Sequence, residues 1–142
     1  MLFRSISAVT ALIAEMRAVE AQLAAEADAQ FATIRDRLAG GIEALEQSTR
    51  WMLETIGRSP DEALAASVAY MMLTGYVCGG WQMARAALAA RAKLASGDDG
   101  FCRAKIATAR FYAEHILPKA GGLAGAVMSG ASTALALPEE QF

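Results

Sequence analysis

Ser59-Pro60-Asp61-Glu62 opens a stretch that then carries no charge from Ala63 to Ala84. Ser59 suits a helix cap and Pro60 the first helical position, and the two acids sit at the positive end of the helix dipole. A helix that starts this sharply and stays uncharged for about six turns must be wrapped by other helices or lie in lipid. Its content favours the first, because Ser67, Thr74, Gly75, Gly79, Gly80 and Gln82 interrupt the run. A second uncharged run, Ala120 to Pro138, is mostly Ala, Gly, Ser and Thr with few large apolar groups. Both approach the length of a bilayer span, so a small membrane helical protein is the alternative; a soluble bundle with this third helix central and most buried is the expectation.

The flanking segments supply the wrapping. Between about Ser5 and Ala27, Leu12, Met16, Val19 and Leu23 step by four, three and four along one helix face. Asp28 is a break or a simple polar position. From about Ala29 to Ile56, Phe31, Ile34, Leu38, Ile42, Leu45, Met52 and Ile56 form a stripe, with Thr49 in the gap and charges opposite. Gly40-Gly41 marks a tight crossing or a bend, and Gly57 is placed to end the helix. The third helix runs to about Ala95, and Gly97-Asp98-Asp99-Gly100 reads as a turn. A fourth helix is expected from about Asp99 to Ala136, kinked at Pro118, with Glu139 to Phe142 as a short tail. The spacing predicts an all-α fold, an antiparallel four-helix bundle with long helices, in a single helical domain over residues 1–142.

Composition narrows the function. Helix formers dominate, with alanine about a quarter of the chain and only three prolines among 142 residues. A net charge of −2 argues against a nucleic-acid partner. Two cysteines, Cys78 and Cys102, make no disulfide framework and read as free thiols of a reducing compartment, and no signal peptide is visible. A cytoplasmic location is the expectation.

No catalytic or metal-binding constellation is apparent. His115 is the sole histidine; a di-iron Glu-x-x-His pair would need an acid where Tyr112 stands, and Cys78, Cys102 and His115 are too scattered for zinc. No phosphate-binding glycine loop occurs. Glu54, Glu62 and Glu114 are each expected in solvated positions, as are Arg85, Lys105 and Arg110. The Gly75-x-x-x-Gly79 and Gly121-x-x-x-Gly125 spacings instead place bare backbone one turn apart, where another helix packs closely or a ligand lies in a groove. Trp81 with Met71, Met72 and Met83 fits a helical core, or less readily an acyl or aromatic site.

The order of residues carries a resemblance. Ser48-Thr49-Arg50-Trp51-Met52-Leu53 is followed by Pro60-Asp61-Glu62-Ala63-Leu64-Ala65, by the stretch from Tyr70 through Gly79-Gly80-Trp81, and by Met83-Ala84-Arg85. Lys105 to Pro118, with Ala109-Arg110-Phe111-Tyr112-Ala113 at its centre, and Ala136 to Phe142 complete it. This resembles the extra C-terminal helical domain of long acyl-CoA dehydrogenases of the methylthio-propionyl-CoA dehydrogenase-like subgroup. The resemblance runs over residues 39–142; residues 1–38 match only in being helical.

The resemblance implies FAD and an acyl-CoA in the catalytic core of a parent enzyme. It carries no catalytic, cofactor-binding or metal-binding residue onto this chain, which is not expected to be an enzyme by itself. It implies an accessory role in packing and oligomerisation, with a dehydrogenase core or self-association as homodimer for partner; a stand-alone self-associating bundle is the alternative. Gly75, Gly79, Gly80, Trp81, Phe111 and Tyr112 are the candidate packing or interface residues.

Overall fold

The computed structural model describes residues 2–94, 96–97 and 99–141, with side chains from residue 8 onward except Asp99. The expected third-helix end at Ala95, position Asp98 of the turn, and Phe142 of the tail lie outside the described residues. Five α-helices follow in order: α1 Leu2–Ala24, α2 Ala29–Arg58, α3 Pro60–Leu94, α4 Asp99–His115 and α5 Lys119–Met128, with a 3-10 turn at Glu139–Gln141. No strand occurs among the described residues.

Asp28 settles as a cap: its Oδ1 accepts from the Gln30 N–H at 2.9 Å, satisfying one of the free donors at the start of α2. Gly57 does not end α2. It has no positive φ, and the helix runs on to Arg58. Ser59 alone joins α2 to α3. Its N–H donates to the Thr55 carbonyl at 2.7 Å, and its carbonyl accepts from the Ala63 N–H at 3.3 Å. One residue therefore closes one helix and opens the next.

The arrangement is an antiparallel bundle in which α2 and α3 both touch α1, α4 and α5. Thr49 of α2 and Tyr70 of α3 share a hydroxyl hydrogen bond of 2.8 Å. These positions lie nearly equidistant from Ser59, as an antiparallel pair requires. Arg17 ties α1 to α2 through Glu46 at 2.8 Å, and Arg91 of α3 reaches Glu26 at 3.4 Å. The core gathers Met16, Leu23, Phe31, Ile34, Leu38, Ile42 and Leu45 from the first two helices with Leu73 and Val77 of α3.

The expected fourth helix is two helices. Pro118 lacks an N–H, and the chain does more than kink there. Ile116 and Leu117 both donate to the Tyr112 carbonyl, at 2.9 and 3.1 Å, and α5 then starts afresh at Lys119. The helical run also stops well before Ala136. The Ser129 N–H and hydroxyl both reach the Gly125 carbonyl, and Gly130 follows at φ 73°. A left-handed residue there ends the helix.

Two expectations about burial fail. Met52 and Ile56 leave the core stripe of α2 in its last turns; Ser48 and Thr55 are fully buried instead, and Ile56 is exposed. The first half of α3 is not wrapped on all sides. It buries Ala63, Ala66, Leu73, Val77 and Gly80 but leaves Leu64, Val68, Met71 and Met72 exposed. The other helices lie to one side of α3.

Candidate interaction surface

The break at Pro118 turns Leu117 inward, where it meets two helices through bare backbone. A Cβ on Gly80 would stand 2.6 to 2.9 Å from three atoms of Leu117, and one on Gly41 would stand 3.3 Å from Leu117 and 3.4 Å from Val77. The Gly40-Gly41 pair thus marks a tight crossing, through Gly41 alone; Gly40 is open. At the residue adjacent to Gly80, the Tyr112 ring lies over Gly79, and its hydroxyl donates to the Tyr76 carbonyl at 3.0 Å. Burial raises the Tyr112 phenol above its ordinary value, with the neighbouring Tyr76 and Cys78 adding to the effect. Burial likewise raises the Cys78 thiol.

The other candidates stand elsewhere. Gly75 is exposed, with nothing within 4 Å of where a Cβ would be, so it takes part in no crossing within the chain. Gly121 and Gly125 are equally open. Trp81 is half-buried, with Arg85 5.2 Å over its ring and its indole N–H unpaired. Phe111 is 58% exposed and stacks against His115 at 4.6 Å. Met83 packs partly against the core, whereas Met71 and Met72 face outward and line no acyl site.

Glu54 is exposed, and Glu114 accepts from Arg110 at 2.8 Å. No three His, Cys, Asp or Glu side chains converge among the described residues. A cleft of about 390 Å³ opens between Asp28, Gln30, Arg91, Leu94, Arg103 and Ile106, and another of about 390 Å³ lies along Gly40, Ala44, Gly121 and Gly125. Neither has the apolar aromatic walls that a flavin ring system needs. The helix starts of α2 and α3 hold Asp28, and Asp61 with Glu62, which oppose a diphosphate. These residues do not fit FAD.

What the structure offers instead is a surface. Leu64, Val68 and Met71 are 66%, 62% and 65% exposed along one line of α3, with Met72 beside them. Large apolar groups this open and this close together form an exposed apolar patch, the kind of surface on which association is commonly found. Sequence reasoning missed their exposure; the signal was the same uncharged run, apolar on more faces than this bundle covers. By length and composition α3 could also cross a membrane.

A family model described as "Acetyl-CoA dehydrogenase C-terminal like" matches residues 12–138, so the match starts upstream of the resemblance at residue 39. The 3-methylmercaptopropionyl-CoA dehydrogenase of Ruegeria pomeroyi is 45% identical over 85 residues, covering 59% of this chain and 14% of that relative. The chain therefore belongs to the acetyl-CoA dehydrogenase C-terminal-like family of helical domains.

Proposed function

We propose that this chain serves as an accessory domain to a FAD-dependent acyl-CoA dehydrogenase, docking on the catalytic core and holding subunits together, in the cytoplasm and as a homodimer. The acyl-CoA is of the short thioether class named in the Ruegeria relative. The observation that carries the reading is the family match over residues 12–138, supported by the open apolar line of Leu64, Val68 and Met71 on α3. Dehydrogenation needs a positioned base and a bound flavin; Glu54 is exposed, Glu114 is paired with Arg110, and Glu62 lies half-buried against Gly130.

Purified chain mixed with the catalytic core of such a dehydrogenase should co-elute with it and leave the core's flavin spectrum in place. Chain that turns yellow with added FAD, or bleaches an electron-acceptor dye with an acyl-CoA, overturns the accessory reading. So does failure to bind any such core.

A further inference from the structure

The outward line of α3 steps alternately by four and three residues: Leu64, Val68, Met71, Gly75, Cys78, Gln82. That is the seam of a coiled coil, exposed at every one of these positions except Cys78, which is half-buried against the core. Asp61 extends the line at one end and Arg85 at the other, both exposed. Each position has a counterpart equidistant from Leu73: Asp61 with Arg85, Leu64 with Gln82, Val68 with Cys78, Met71 with Gly75. Reversed on itself, the seam is self-complementary.

We infer that α3 pairs with α3 of a second copy, antiparallel, about a two-fold axis at Leu73. The inference rests on the association role proposed above and names its surface. Met71, the most exposed large group near the axis, fills the open space over the partner copy's Gly75, and the exchange occurs twice by symmetry. The acidic start of each α3 meets the basic position of the other, Asp61 against Arg85. Alternating a and d positions face each other in antiparallel seams, and these pairs obey that rule. Arg85 is already held near the line by Gln82 at 3.2 Å and by the Trp81 ring. A lipid occupant would gain nothing from Asp61, Gln82 and Arg85 in the same line, and a flat apolar partner would not require the large-against-bare match.

The test uses the full chain. Light scattering should give twice the 14.9 kDa chain mass at micromolar concentration. Met71→Glu should return the single-chain mass with an unchanged helical circular dichroism spectrum, because this position is open. Asp61→Arg should weaken the dimer, and adding Arg85→Asp should restore it. Val68→Cys, oxidised with copper phenanthroline, should give a covalent dimer through the native Cys78, and Cys78→Ser should abolish it. A covalent dimer that persists with Cys78→Ser means a parallel pairing and overturns the inference. A monomeric wild type, or a dimer indifferent to Met71→Glu, also overturns it. Binding of the same variants to a dehydrogenase core separates the two claims. Core binding by a chain that stays monomeric sinks the α3 pairing and keeps the accessory role; the cross-linking pattern without core binding does the reverse.

Discussion

The two sides of α3 differ in what they meet, not in what they are made of. Toward the bundle, Leu73, Val77 and Gly80 are fully enclosed, and Gly79 and Gly80 let Tyr112 and Leu117 come against bare backbone. Away from it, Leu64, Val68 and Met71 are just as apolar and lie open. Leu73 and Met71 stand two residues apart with opposite fates. Hydropathy therefore does not report burial on this helix. An apolar face is buried only where a neighbour reaches it, and the neighbours of α3 are all on one side.

Substitutions on the covered side of α3 should cost far more than those on its open side. Leu73→Ala removes fully enclosed methyl groups and should cost about 2–5 kcal/mol, seen as a lower denaturant midpoint. Gly79→Ala comes next. Its Cβ collides with the Tyr112 hydroxyl, so a loss of about 1–3 kcal/mol is expected, and a second change, Tyr112→Phe, should return part of it by removing the colliding oxygen. A double-mutant cycle in chemical denaturation measures the recovery.

The same tyrosine gives a pH test. Its folded-state phenol is raised above the ordinary value near 10.0, as is the Cys78 thiol above 9.0. Groups raised on folding hold their proton more tightly in the native state, so their contribution is complete below those ordinary values and is lost as pH rises through the folded ones. Stability should fall in the alkaline range, and less steeply for Tyr112→Phe.

Two smaller effects sharpen the contrast. Gly125→Ala sits in an exposed helical position with open space around it and should gain about 0.5–1 kcal/mol. Met71→Ala should leave the unfolding free energy of a dilute, monomeric sample within about 0.5 kcal/mol. A loss as large as that of Leu73→Ala would mean that the outer side is covered within the chain after all.

Much of the fold is legible in the residue order. The apolar steps through Leu12, Met16, Val19 and Leu23 and from Phe31 to Leu45 identify the core stripes of α1 and α2. Ser59-Pro60 places the joint between α2 and α3 within a residue, because capping and the fixed proline backbone are local effects. The errors lie where local signals compete. Gly57 resembles a helix end but stays helical, since Ser59 two residues later supplies the hydrogen bonds that close the helix. Pro118 reads as a kink and is a full break, because Leu117 gains a seat between Gly41 and Gly80 that a continuous helix would not offer. Ser48 and Thr55 look like surface positions but are buried with unpaired hydroxyls, since the crossing of α2 with α3 drifts off the apolar stripe.

The candidate surface was legible only in part. Small residues one turn apart at Gly75 and Gly79, and again at Gly121 and Gly125, read as the same device. Only Gly79 touches a neighbour within the chain. The residue order alone carries the all-helical class, the start of α3 at Ser59-Pro60, the apolar identity of both sides of α3 and the family resemblance. Those depend on backbone preference, capping and residue order, all of which are local or inherited along the chain. Which side of α3 is covered, which glycines are crossings, how α2 is closed at Ser59, and that Leu64, Val68 and Met71 lie open are visible only in the packed bundle. Those depend on where α2, α4 and α5 come to lie, and a helix with no polar side carries no mark of the direction from which its neighbours arrive.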